Sequence, residues 1–127
     1  MREKKKIPTH FELEVYKKAF AAAMKIFELS KTFPPEERYS LTDQMRRSPR
    51  SVCVNNAEAW HKRRYPAHWV SKLSDSEAEA AETQTWLKFA VECGYLKPEH
   101  ETELHNEYNE IKAMLVSMIL HPERWSF

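Results

Sequence analysis

Glycine is nearly absent: Gly94 is the only one in 127 residues. A β-rich fold needs many tight turns, and tight turns lean on glycine, so the chain favours few, long elements, which points to helices. The same scarcity excludes a glycine-rich phosphate loop and the glycine fingerprint of dinucleotide-binding folds. Cysteine is scarce as well. Cys53 and Cys93 form no CxxC pair, and both read as small core residues in a reduced compartment. Long apolar runs are missing too. None approaches the roughly 20 residues that span a bilayer. The basic Lys4 to Lys6 is not followed by the apolar run of a signal peptide, because Pro8, His10, Glu12 and Glu14 interrupt it. The expectation is a cytoplasmic chain without a membrane partner.

What is present suits one domain, 1–127. A hydrophobic share of 42% and an aromatic share of 12% suffice for a packed core. Net charge is only +1, so the molecule as a whole is no general polyanion binder. The distribution is uneven, however. Gln44 to Arg64 carries Arg46, Arg47, Arg50, Lys62, Arg63 and Arg64 against the single acid Glu58. Asp75 to Glu110 holds ten acids opposed only by Lys88 and Lys97. Two solvated faces that attract each other explain this; so do one surface for a polyanion and another for a protein.

The pattern along the chain predicts four helices. Residues 1–8 read as a flexible basic tail. Thr9 and Glu12 have capping-box spacing, and Leu13, Tyr16, Phe20, Ala23 and Phe27 form the first seam. Phe33-Pro34-Pro35 ends that helix. Ser40 or Thr42 opens the second, whose seam is Leu41, Met45, Ser48, Val52, Asn56 and Ala59. Pro49 in its interior predicts a kink. The third helix starts near Tyr65-Pro66 and ends at Gly94 as a left-handed cap. Its seam, Trp69, Leu73, Ser76, Ala80, Thr83, Leu87 and Ala90, is small in the middle, so a neighbour can approach closely. The fourth opens at Pro98, runs through Leu104, Tyr108, Ile111, Leu115 and Met118, and ends at Pro122. Residues 122–127 form an irregular tail whose Trp125 and Phe127 are expected to dock on a surface. Short connections make this an all-α, antiparallel up-down four-helix bundle.

Catalytic signals are weak. A di-iron bundle needs two Glu-x-x-His motifs and two more glutamates, and Glu58-Ala-Trp-His61 is the only such motif here. There is no HExxH. The six histidines read as surface or rim residues. Cys53 lies near arginines, the only context that would lower a thiol pKa. The expectation is a non-enzyme with no catalytic residue, metal or cofactor.

Several segments in fixed order carry a resemblance: FELEVYKKA near the start, TFPPEERYSLTDQMRRS, NNAE at Asn55 to Glu58, ETQTWLKFAVECGYL, and a closing EIKAMLVSMI. Over about residues 10 to 120 the chain resembles the bacterial 23S ribosomal RNA intervening-sequence proteins. That resemblance implies a cytosolic four-helix bundle and a homopentamer. A related branch, the accessory proteins of diversity-generating retroelements, forms a barrel that binds nucleic acid and a reverse transcriptase through basic surfaces. The family's QxRR stretch falls on Gln44, Arg46 and Arg47, and its SNIAEG stretch on Asn55, Ala57 and Glu58. Cys53 stands where the family often has proline, Asn56 replaces an aliphatic residue, and Ala59 replaces a common glycine.

Two candidate sets follow. Arg46, Arg47, Arg50, Lys62, Arg63 and Arg64 are the candidate nucleic-acid contacts, because Lys and Arg contacts to phosphate dominate sequence-independent affinity. Trp60, Tyr65 and Trp69 lie beside them and can stack on unpaired bases. Cys53, Val54, Asn55, Asn56 and Ala57 are the candidate oligomer and register residues, since a helix apolar on two sides is usually buried on two sides and buried amides fix register. The expected function is an oligomeric scaffold for RNA or DNA. The alternative is a protein–protein adaptor that uses the acidic face or the C-terminal aromatic tail, the basic helix then serving assembly alone.

Overall fold

The computed structural model describes Ile7 and residues 9–125. Four helices carry the fold: α1 (Glu14–Ser30), α2 (Leu41–His61), α3 (Pro66–Glu92) and α4 (Pro98–Leu120), with short 3-10 turns at His10–Glu12, Pro35–Glu37 and Pro122–Arg124. Among the described residues there is no strand. Each helix packs on its sequence neighbours, and α4 packs back on α1. Cross-helix pairings count in opposite senses, as antiparallel neighbours must. Ser48 meets Thr83 while Asn56 meets Ser76. Trp69 meets Met118 while Gln84 meets His105. Lys18 meets Glu110 while Lys25 meets Glu103.

The seams expected of α2, α3 and α4 are all buried. Of the seam expected for α1, only Leu13 is in the core. Val15, Ala19, Ala22, Ile26 and Ser30 face the core, whereas Phe20 is 51% exposed and Tyr16, Ala23 and Phe27 lie half-buried on the flank towards α2. Two adjacent stripes of α1 share the same spacing, and the aliphatic one fills the interior. The expected capping box is also absent. Thr9 makes no side-chain cap bond and opens the 3-10 turn, and α1 starts after Leu13.

Small polar residues let α2 and α3 close on each other. Ser76 Oγ lies 2.9 Å from the Val52 carbonyl oxygen and 2.8 Å from Asn56 Oδ1. Thr83 Oγ1 donates to Ser48 Oγ at 2.8 Å. A serine side chain reaches only two bonds beyond its Cα, so the backbones are in near contact there. Pro49 is buried within an unbroken α2. Neither Ser40 nor Thr42 makes a cap bond. Glu37 Oε1 instead accepts from the Leu41 N–H at 3.3 Å, and its Oε2 accepts from Tyr95 Oη at 3.0 Å. That hydrogen bond pushes the Tyr95 phenol up to about 12.

Gly94 has φ 78. Its N–H bonds the Val91 carbonyl and the Tyr95 N–H bonds the Ala90 carbonyl, both at 2.9 Å, the double bond of a Schellman cap. Nothing lies within 4 Å of where a Cβ would sit, so backbone strain is the only cost of adding one. Gly94→Ala is expected to lower stability by about 1 kcal/mol. The check is a lower urea midpoint at unchanged slope; an unchanged midpoint would contradict the strain argument.

Trp125 is half-buried and stacks on Trp69, ring centroids 5.9 Å apart, so this part of the tail docks as expected. Phe127 and the basic residues of the expected tail, Arg2 and Lys4 to Lys6, lie outside the described residues. Cys53 is buried as expected, but Cys93 is exposed: it follows the last turn of α3, where the chain leaves the core for the Gly94 cap.

Candidate nucleic-acid interface on the second helix

The outer surface of α2 carries the basic residues, and the structure divides them into two groups. Arg46, Arg47 and Arg50 line a groove of about 510 Å³ together with Arg38, Thr42, Asp43, Ser51 and Val54. Lys62, Arg63 and Arg64 sit in the turn after α2. Twelve residues separate Arg50 from Lys62, roughly 18 Å along a helix axis. The Arg63 guanidinium lies 3.8 Å over the Trp60 ring and donates to the Trp60 carbonyl at 2.8 Å. Lys62 and Arg64 are exposed.

Within the groove the arginines are held by different partners. Arg47 Nη2 donates to Glu82 Oε1 at 2.6 Å and lies 3.5 Å from Glu79 Oε2. The Glu82 bond holds the Arg47 guanidinium above its ordinary pKa, while burial and then Glu82 push the Glu79 carboxyl up. Arg46 Nε donates to Ser30 Oγ at 2.8 Å, and its guanidinium lies 4.8 Å from the Phe27 ring centroid. Arg50 lies 5.8 Å from the same centroid, and Arg38 lies 5.6 Å over Tyr39. These are cation–π contacts with neutral partners. Among the described residues no carboxylate ion-pairs with Arg38, Arg46 or Arg50.

Attraction between the basic and acidic helices therefore explains only part of the charge pattern. Glu79 and Glu82 take Arg47, but Glu103 and Glu110 pair with Lys25 and Lys18 of α1, and Glu101 pairs with Lys88 on α3. Three of the ten acids are thus held by lysines, two of them α1 lysines that the charge pattern did not single out, and Arg46 and Arg50 of α2 are left without a carboxylate.

The candidate register residues also separate. Cys53 and Asn56 face the core, Asn55 and Ala57 are half-buried, and Val54 is 54% exposed. Asn55 Nδ2 donates to the Ser51 carbonyl of its own helix at 2.9 Å, and Asn56 meets Ser76 of the same subunit. Burial pushes the Cys53 thiol up to about 11, so the nearby arginines do not make it a nucleophile. The expected base-stacking set shrinks as well. Trp60 and Trp69 are 4% and 1% exposed and cannot receive a base, whereas Tyr65 is 53% exposed.

Three functional candidates were missed. Arg38 reads as part of a connector, Thr42 as a helix cap and Phe27 as core. A signal was present for two of them: Arg38, Thr42, Arg46 and Arg50 stand four residues apart throughout, the spacing of a ridge along one helix side.

Elsewhere on the subunit, the His10–Glu12 turn exposes Phe11 and α1 exposes Phe20, at 57% and 51%, beside Tyr16. Across the bundle, α3 and α4 frame a second groove of about 560 Å³ lined by Ala81, Gln84, Thr85, Lys88, Phe89, Glu92 and His105. Phe89 is 53% exposed. Among the described residues no cluster of His, Cys, Asp and Glu is placed to hold a metal, and no helix is long and apolar enough to cross a membrane.

The fold has a solved counterpart. A protein of unknown function from the S23 ribosomal protein family of Bacteroides thetaiotaomicron matches with a TM-score of 0.75 at 29% identity, over 84% of this chain and 95% of that one. No functionally curated protein matches the chain. The model of one family, the 23S rRNA-intervening sequence proteins, matches residues 11–117. Four helices in that order, matched over most of their length, place the chain in the 23S rRNA-intervening sequence protein family.

Proposed function

We propose that the chain is a non-enzymatic, cytoplasmic scaffold that assembles with copies of itself and holds nucleic acid on the outer face of α2. The supporting observation is the α1–α2 face, where exposed aromatics and uncompensated arginines lie side by side. Phe11, Tyr16 and Phe20 occupy one end beside the C-terminal half of α2. Arg46 and Arg50, over Phe27, occupy the other. Exposed apolar side chains gathered in one patch favour an interface. The α3–α4 face opposite has a groove of mixed charge, with Lys88 and Glu92 beside the exposed Phe89, where the α2 groove is mainly arginine. Unlike faces on opposite sides of one subunit make a head-to-tail contact, which closes into a ring when the rotation allows. The family resemblance puts five copies in that ring.

Light scattering tests the assembly. The wild type is expected at a multiple of the 15.1 kDa subunit, and Phe20→Asp at the subunit mass. Phe20 is not part of the core, so the variant is expected to keep its helicity. A wild type that stays at 15.1 kDa at micromolar concentration refutes the ring. A labelled single-stranded RNA tests the other half by fluorescence anisotropy. Binding is expected to weaken as salt rises from about 50 to 200 mM, and absence of binding at the lower salt refutes it.

A second reading, a protein adaptor on the α3–α4 face, is favoured by the exposed Phe89 and its groove. On this reading the α3–α4 face takes no part in assembly, so Phe89→Asp abolishes capture of a partner without changing the assembly mass.

A further inference from the structure

We propose that the groove on α2 contains a seat for a phosphate group, formed by the guanidiniums of Arg38, Arg46 and Arg50 and the hydroxyl of Thr42. It deepens the nucleic-acid reading, and only the source of the phosphate rests on that reading.

The first argument is how the charges are held. A guanidinium whose role is to bind its own subunit finds a carboxylate, as Arg47 does with Glu82. Arg46 is fixed by a serine hydroxyl and an aromatic face, and Arg50 by the same face. Such partners set the direction of the fork without neutralising it. Arg46 uses Nε on Ser30, so its two terminal nitrogens remain as donors. Two like charges over one ring repel each other, and an anion bound between them removes that repulsion.

Thr42 supplies the second, independent argument. It lines the groove, is 9% exposed, and its hydroxyl has no hydrogen-bond partner. A buried hydroxyl without a partner is unfavourable; its oxygen is closed to solvent, and a turn of the side chain about χ1 brings it to the groove, where a phosphate oxygen accepts from it. The groove also leaves room for the sugars on either side of a backbone phosphate. Arg47 is committed to α3 and forms a wall. Asp43, the one acid lining the groove, is exposed. Forked donors match the tetrahedral oxygens of phosphate in pairs, which separates this site from a diffuse basic patch.

Inorganic phosphate and a 5′-labelled single-stranded RNA are the two probes, read by calorimetry and by anisotropy at low ionic strength. The double variant Arg46→Gln, Arg50→Gln is expected to bind the RNA at least about tenfold more weakly, the loss of one or two charged hydrogen bonds. Thr42→Val, which removes only the unpartnered hydroxyl, is expected to weaken it by about threefold or more with urea stability equal to or above the wild type's. Lys97→Gln, which removes one positive charge from the α3–α4 connector, is expected to bind as the wild type does. If phosphate binds and the variants weaken it while RNA does not bind at all, the seat stands and takes free phosphate, and the nucleic-acid reading fails. If the variants lose RNA and inorganic phosphate is not measurable, the seat takes backbone phosphate. RNA bound equally by the wild type and both variants overturns the seat and leaves the nucleic-acid reading standing. Binding of neither probe overturns the seat, as does a double variant that loses assembly mass, which would assign the arginines to a neighbouring subunit's carboxylates. Should the double variant not fold, Thr42→Val decides alone.

Discussion

Trp69→Ala is expected to remove about 3–5 kcal/mol of stability, a large fraction of the 5–15 kcal/mol typical of a domain this size. Trp69 is 1% exposed and sits near the start of α3 against the end of α4. Its Nε1 donates to the Met118 carbonyl at 3.1 Å. That carbonyl needs an outside donor. Its helical partner would be the N–H four residues on, and residue 122 is proline, which has none. The indole therefore fills a place that the proline ending α4 leaves empty, and its ring supports Trp125 in the turn that follows. Alanine loses the packing and the donor together. Trp69→Phe keeps most of the packing and loses only the donor, so it is expected to cost about 1–3 kcal/mol. Urea unfolding at one fixed protein concentration measures both. A loss below about 1.5 kcal/mol for the alanine variant would contradict the packing argument, and equal losses for the two would contradict the role of the ring.

Trp69 and Pro122 illustrate what the sequence makes legible. Pro122 announces the end of α4 and the three-and-four spacing announces Trp69 as core, but nothing local announces that one completes the other. Helix ends were readable where a single residue decides them, as at Pro66, Gly94 and Pro98. The seams of α2, α3 and α4 were readable because in each one stripe keeps the three-and-four spacing along the whole helix. α1 has two neighbouring stripes, and the aromatic one looks more hydrophobic while the core takes Val15, Ala19, Ala22 and Ile26. A stripe that is apolar yet outside the core is what an interface looks like in sequence, and hydropathy alone does not separate the two. The arginine groove was half legible. Its four-residue row is visible in the sequence, but the anchoring of Arg46 and Arg50 on Phe27 crosses the α1–α2 connection. The neutralisation of Glu103 and Glu110 by α1 lysines likewise closes the bundle between its first and last helices.

The second large effect is expected at Asn56, which fixes the α2–α3 register inside the subunit. Asn56 has zero exposure. Ser76 Oγ lies within hydrogen-bond distance of both Asn56 Oδ1 and the Val52 carbonyl, while Asn56 Nδ2 is buried without a partner. One hydroxyl proton cannot serve two acceptors. With the amide turned over, all three groups fit: Nδ2 donates to Ser76 Oγ, which passes its own proton to Val52. Asn56→Asp keeps the shape and removes the donor, leaving a carboxylate facing a hydroxyl already committed elsewhere. A buried carboxylate without a counter-charge is expected to cost about 3–5 kcal/mol at pH 7. Its sign with pH is fixed by burial, which raises the folded-state pKa above the ~3.9 of the unfolded chain. Below that value both states hold the proton and the variant lies near the wild type. As pH rises above it the unfolded chain ionises first, so stability relative to wild type falls until the folded carboxyl also ionises, and is flat beyond. The difference between variant and wild-type urea midpoints, followed from pH 3.5 to 8, is therefore expected to widen with pH. A difference that stays constant across that range would show that Asn56 does not sit in a dry, donor-requiring site and that the Ser76 bridge does not set the register.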